Sequence, residues 1–160
     1  MIRPVTASDA RQIVDIYNDY ILNTTISFET VPLTVEQMQR RIEEIASHCP
    51  YIVWEEADEI AGYCYAHPWK ERAAYHLTLE TTVYLSPKYF RKSIGTKLMQ
   101  RLIDDCRKMG FKVLIACITA DNEASIEMHR QLGFKQVSYF EQVGEKFGKM
   151  LDVVDMQLNL

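Results

Sequence analysis

A chain of 160 residues, 48% hydrophobic and 25% charged, is long and apolar enough to build one packed core, so a single domain over residues 1–160 is expected. Its net charge of −4 excludes broad nucleic-acid binding, and any anion site must be local. Charges appear too early in MIRPVTASDARQIV for a signal peptide, and no apolar stretch is long enough to span a membrane, so the expected location is the cytoplasm.

Ile2 to Val5 reads as a short first strand. Thr6-Ala-Ser-Asp9 has capping-box spacing, and Ile13, Ile16, Tyr17 and Tyr20 follow at helical period. A second capping box, Thr34-Val-Glu-Gln37, opens a helix with Met38, Ile42 and Ile45 as its apolar stripe. YIVWEE (51–56) and IAGYCYAH (60–67) read as a hairpin around an Ala57-Asp-Glu turn. YHLTLETTVYL (75–85) reads as one long strand, with Leu79, Thr81, Val83 and Leu85 on one face and Glu80, Thr82 and Tyr84 on the other.

A helix follows, with Ile94, Leu98, Leu102, Cys106 and Met109 on one stripe and Gly110 as its stop. VLIACI (113–118) is a buried strand, and Asn122 to Leu132 is a helix closed by Gly133. KQVSYFEQV (135–143) and MLDVVDMQLNL (150–160) are the last strands, joined by a glycine-bearing loop, GEKFG. Cys49, Cys64, Cys106 and Cys117 form no CxxC pair and sit in mostly apolar segments. They read as small buried hydrophobes in a reducing compartment, not as metal ligands. The order β-α-α-β-β-β-α-β-α-β-β implies an α/β (α+β) fold: a mixed central sheet of about seven strands with helices on both faces.

The turn KYFRKSIGTKL (88–98) concentrates Lys88, Arg91, Lys92 and Lys97 where a strand becomes a helix. The first N–H groups of a helix have no partner within it and carry partial positive charge, which suits phosphate. Gly95 removes a side chain where a ligand's backbone could press close. The stretch reads either as a phosphate seat or as a solvated basic loop. It is neither a P-loop, GxxxxGK[ST], nor a dinucleotide fingerprint, GxGxxG.

The element order, the strand–basic turn–helix unit and NEASIEMHRQLGF (122–134) together resemble the GCN5-related N-acetyltransferases (GNAT). Within them, IYNDYI (16–21), TTISFET (24–30), AHPWKERAAY (66–75), LETTVYL (79–85) and the tail QVGEKFGKMLDVVDMQLNL (142–160) resemble the phosphinothricin and methionine sulfoximine acetyltransferases. The resemblance implies the GNAT fold with a splayed strand pair at the cofactor site, acetyl-CoA as donor, an amino group as acceptor, no metal, and a homodimer. It assigns Val83, Tyr84 and Leu85 to the pantetheine arm and the N–H groups of Arg91, Lys92, Ser93, Ile94, Gly95 and Thr96 to the pyrophosphate. Asn122, assisted by Ser125, would meet the pantetheine near the thioester. The chain departs from the family motif [Q/R]xxGx[G/A]. Phe90 stands at the Gln/Arg position and Ser93 at the first glycine, and only Gly95 matches. The N–H donors survive Ser93 if its φ is negative.

Attack by an amine with a pKa of roughly 8 requires a base to take its proton. By pattern alone Glu80 is either that base or a carboxylate on a solvated face; the resemblance puts the functional carboxylate there. His129 stands where many relatives carry the tyrosine that protonates the leaving thiolate, and is the candidate acid; a structural histidine is the alternative. An acceptor with an α-carboxylate would be held by Arg72 and the Ala73-Ala74-Tyr75 backbone, with Phe28 as an apolar wall. The expected activity is N-acetylation of a small amino acid or analogue by direct attack in a ternary complex. An acetyltransferase of another amine, such as a protein N-terminus, and a non-catalytic acyl-CoA-binding module are the alternatives.

Overall fold

The computed structural model describes residues 1–160. Seven strands form one sheet: β1 (Ile2–Pro4), β2 (Tyr51–Glu56), β3 (Glu59–Pro68), β4 (Thr78–Leu85), β5 (Val113–Thr119), β6 (Lys135–Lys146) and β7 (Lys149–Asn159). Their spatial order is β1-β2-β3-β4-β5-β7-β6. Every neighbouring pair is antiparallel except β4 and β5.

The four α-helices are α1 (Ala10–Asn23), α2 (Val35–Ala46), α3 (Ile94–Lys108) and α4 (Glu123–Gln131). They divide between the two faces because the strands alternate. One core joins Ile13, Tyr17, Tyr20 and Ile21 of α1, and Met38 and Ile42 of α2, to Tyr51, Val53 and Tyr63 of the sheet. The other joins Ile94, Leu98, Leu102 and Cys106 of α3 to Cys64, Leu79, Leu114 and Met156. Such two-sided burial is why the central strands read as nearly continuous apolar runs. No helix is long and apolar enough to cross a membrane.

Both capping boxes form. The Asp9 carboxylate accepts from Thr6 N–H at 2.7 Å and is also held by Arg3, while Gln37 N–H donates to Thr34 Oγ1 at 3.1 Å. The β2–β3 turn closes on Ala57 and Asp58, both at positive φ. Gly110 and Gly133 end their helices at positive φ, as an αL stop requires.

Four expectations are corrected. The strand read over 75–85 begins only at Thr78, because Ala73–Tyr75 is a 3₁₀ turn after the HPWKER segment. GEKFG is not a loop. β6 runs on to Lys146, and Phe147 and Gly148, both at positive φ, make a two-residue hairpin turn. Met109 lies past the end of α3 and is exposed. Cys117 is exposed, unlike the other three cysteines, because its strand leaves the cover of its neighbour at that point.

Candidate active site

β4 and β5 run parallel only from Thr78 opposite Val113 to Thr81 opposite Ala116. Beyond that, β4 stays with β3 as far as Leu85 opposite Gly62, while β5 stays with β7 as far as Thr119 opposite Val153. The two strands therefore separate, and the edge of residues 82–85 facing β5 is released from the ladder. A cleft of about 480 Å³ opens at the split. Glu80, Thr82, Val83 and Tyr84 form one wall, and Cys117, Ile118 and Thr119 the facing wall. Asn122, Ser125 and His129 come from the α4 side; Tyr17, Ser27, Phe28 and Glu29 come from α1 and the connection after it.

The basic turn follows directly from β4. Backbone N–H groups of Arg91, Lys92, Ser93, Ile94, Gly95 and Thr96 donate to no protein acceptor; Phe90 N–H before them bonds Pro87 and Lys97 N–H after them bonds Ser93. Six consecutive free donors beside a helix N-terminus are suited to holding an anion. Lys88 is paired with Glu59 and Lys97 lies over the Trp54 ring, whereas Arg91 and Lys92 make no ion pair.

Two details correct the sequence reading. Ser93 has φ +57, in the left-handed region, as does Arg91 at φ +63. The family's glycine at that position has a conformational reason that serine satisfies only at a cost. Gly95 does not leave room for a ligand. A Cβ there would meet Met128 Sδ at 3.3 Å and Leu85 Cδ1 at 3.4 Å, so its role is to seat α3 against β4 and α4. Ser93→Gly should raise stability by about 0.5–1 kcal/mol, read from urea unfolding, because relief of the left-handed strain exceeds the extra freedom of the unfolded chain.

Glu80 is half-buried on the wall opposite Cys117, and its cross-strand partner is His67, which also lines the cleft. Burial pushes its carboxyl above the usual range, His67 opposes that, and Asp155 adds to it. Although Cys117 as a residue is exposed, its thiol is partly shielded from water, and that desolvation, with Asp155 and Glu80 adding to it, pushes the thiol up to about 12, so at neutral pH it stays protonated.

His129 is 3% exposed, and its ring meets the Phe134 ring edge-on with centroids 5.0 Å apart. Its Nδ1 lies 2.7 Å from the Ser125 carbonyl oxygen, which can only accept, so Nδ1 carries the proton and Nε2 is bare in the neutral ring. Burial lowers its pKa. A neutral imidazole whose single N–H is already committed is a hydrogen-bond acceptor, which does not fit the general-acid role expected from sequence.

Asn122 caps α4, its Oδ1 accepting from Ser125 N–H at 3.3 Å. The Leu85 carbonyl accepts from Tyr20 Oη at 2.7 Å, leaving it one lone pair. Arg72, Ala73, Ala74 and Tyr75 lie on the 3₁₀ turn before β4 and are not among the residues lining the cleft. Phe28 is.

Sequence reasoning missed His67, Tyr17, Tyr65, Glu29 and Thr119, all of which line the cleft. Only His67, inside the HPWKER segment, carried a usable signal. Tyr17 read correctly as helical core, and nothing in its spacing shows that its hydroxyl reaches Glu29. Glu29 is in turn gripped by both terminal nitrogens of Arg41, at 2.8 and 2.5 Å.

A family model for the acetyltransferase (GNAT) domain matches residues 2–154. A phosphinothricin N-acetyltransferase from Streptomyces viridochromogenes is 36% identical over 95% of this chain and 83% of its own length. An L-methionine sulfoximine/L-methionine sulfone acetyltransferase from Pseudomonas aeruginosa is 36% identical over 99% of this chain and 94% of its own. The crystal structure of a GNAT phosphinothricin acetyltransferase from Sinorhizobium meliloti, in complex with acetyl-CoA, superposes with a TM-score of 0.97 at 34% identity, covering 100% of this chain and 88% of that one. The chain belongs to the acetyltransferase (GNAT) family. It is an acyltransferase of that family, whose co-substrate is acetyl-CoA, and the seven-stranded mixed sheet is the family's fold.

Proposed function

We propose that this cytoplasmic enzyme acetylates the α-amino group of a small amino acid or analogue of the phosphinothricin, methionine sulfoximine or methionine sulfone type, by direct attack in a ternary complex. The observation that carries the reading is the conjunction of six unpartnered N–H groups at residues 91–96, a released strand edge at 82–85, and a half-buried carboxylate two residues before that edge. The relatives named above supply the acceptor class.

Acetyl-CoA, when bound, supplies an activated acyl thioester. The backbone donors of Arg91 to Thr96 hold its diphosphate, with Arg91 and Lys92 adding charge. Main-chain groups of Val83 and Tyr84, with the remaining lone pair of Leu85, align its pantetheine arm beside Asn122 and Ser125. Glu80 takes the ammonium proton of the acceptor, directly or through one water, and its raised pKa brings it closer to that of the amine. His67, across the strand pair, stabilises the carboxylate form of Glu80. The C–N bond forms as the C–S bond breaks, and the departing thiolate takes the second proton of the acylated nitrogen, so that coenzyme A leaves as the thiol; His129 accepts a hydrogen bond at Nε2 and orients what lies beside it. The protonated Cys117 thiol leaves the cleft without an activated nucleophile, which favours direct attack over an acyl-enzyme. Phe28 walls the acceptor side; Arg72 and the Ala73–Tyr75 turn, outside the cleft lining, are not assigned to the acceptor carboxylate.

The edge strand β6 exposes Val137, Tyr139, Phe140 and Val143, an apolar set along the sheet edge that suits burial in a homodimer. Sedimentation should give twice the chain mass.

Thiol release from acetyl-CoA, followed over a panel of amines, tests the reading. Turnover is expected on methionine sulfone, methionine sulfoximine or phosphinothricin, and not on peptides with a free N-terminus. Coenzyme binding without turnover on any amine would identify a non-catalytic module instead.

A further inference from the structure

The wall formed by Ser27 and Phe28 belongs to a connection between α1 and α2 with no regular structure of its own. It is nevertheless held at successive residues by distant parts of the chain. Thr119 Oγ1 donates to the Thr25 carbonyl at 2.8 Å, and Lys146 Nζ donates to the Ser27 carbonyl at 2.6 Å. Lys146 is 3% exposed, and that carbonyl is its only hydrogen-bond acceptor; its Nζ otherwise lies 5.2 Å from the Phe147 ring centroid. Burying an ammonium with so few partners is costly, and a hydrophobic residue would fill the space more cheaply.

Gly144 lies two residues earlier, on the same face of β6. A Cβ there would fall 2.3 Å from Phe28 Cε2 and 2.8 Å from Phe28 Cζ, so the ring rests against bare main chain. The irregularity in the β6–β7 register between Phe140 and Gly144, with Gln142 at φ +52, aims this part of β6. Two alternate residues of β6 thus address two consecutive residues of the wall.

We propose that Gly144 and Lys146, neither of which lines the cleft, set the acceptor size that the enzyme selects, by fixing where Ser27 and Phe28 stand. The inference rests on the reading of Phe28 as the acceptor's wall. A methyl group at 144 displaces the ring away from β6, and the space beyond it is the cleft. Loss of the Lys146 ammonium releases the Ser27 carbonyl and lets the wall retreat. Both are positioning residues that act through the wall.

The test is the ratio of kcat/KM for L-methionine sulfone to that for its S-ethyl homologue, one methylene longer, at saturating acetyl-CoA. One methylene in an apolar pocket is worth about 10–200-fold. Gly144→Ala should move the ratio about tenfold toward the smaller amine, and Lys146→Met about threefold or more toward the larger. The KM for acetyl-CoA should stay within twofold in both, which general damage to the fold would not spare. Should Gly144→Ala not fold, Lys146→Met carries the same test. Phe28→Ala is the control. If it shifts the ratio while the two β6 variants leave it unchanged, this inference is overturned and the acceptor-wall reading stands. If all three leave it unchanged, both fall together.

Discussion

Glu80→Gln is expected to lower kcat for acetyl transfer by about 10²–10⁴, the usual contribution of a positioned general base, while leaving coenzyme affinity within about twofold. The side chains are nearly isosteric, so the wall of the cleft keeps its shape and only the proton acceptor is lost. The pH profile is the second half of the same prediction. Burial, opposed by His67 and reinforced by Asp155, holds the Glu80 carboxyl above the ordinary glutamate range. Its acid form is inactive, so kcat/KM should fall as pH drops through that raised pKa, and this acid limb should be missing from Glu80→Gln.

The stability effect has the opposite sign. A carboxyl whose folded pKa exceeds its unfolded value binds its proton more tightly in the folded state, so it weakens the fold as pH rises from the unfolded toward the folded pKa. Glu80→Gln should therefore be at least as stable as the parent at neutral pH. A slow variant that is no less stable is the signature of a group kept for chemistry. Full activity in that variant would remove Glu80 from the base role.

The second large effect is expected at Gly62. It faces Leu85 across the β3–β4 pair, and a Cβ there would stand 2.3 Å from Leu85 Cδ2 and 2.9 Å from the Tyr84 carbonyl oxygen. The side-chain methyl can turn aside, but the carbonyl belongs to the strand. Gly62→Ala should cost about 1–3 kcal/mol as overpacking, lowering Tm by about 2–4 °C for each kcal/mol. It should also weaken coenzyme binding, because Leu85 lies between Gly62 and Gly95 and so joins the strand edge to the start of α3. Melting curves with and without coenzyme A, together with calorimetric titration, separate the two effects. Lost stability with unchanged affinity would show that the strand edge does not shape the seat. No change in either would mean that β3 and β4 can part locally without consequence.

His129 shows why matching a motif position differs from assigning a role. Its place one turn before Gly133 was legible, and the resemblance attached an acid's role to it. Its burial, its bond to the Ser125 carbonyl and its edge-on contact with Phe134 became visible only once α4 was packed. Those contacts depend on which side of the helix meets the strands, and a local pattern of residues does not carry that information. Ser93 is similar: its identity was plain, but the sign of its φ is set by how α3 must leave the turn to pack against Leu85 and Met128.

From the order of residues alone came the two-sided sheet, both capping boxes, the glycine stops and the basic turn at the head of α3. Each rests on interactions spanning a few positions, which local periodicity and hydrogen-bonding chemistry dictate. The tertiary structure alone decided where β4 and β5 part company, which of the turn's cations remain unpaired, and how residues 119, 144 and 146 reach back to hold the segment 25–28. Those features join groups up to 119 residues apart in the chain, and only the closed packing of strands and helices sets their distances.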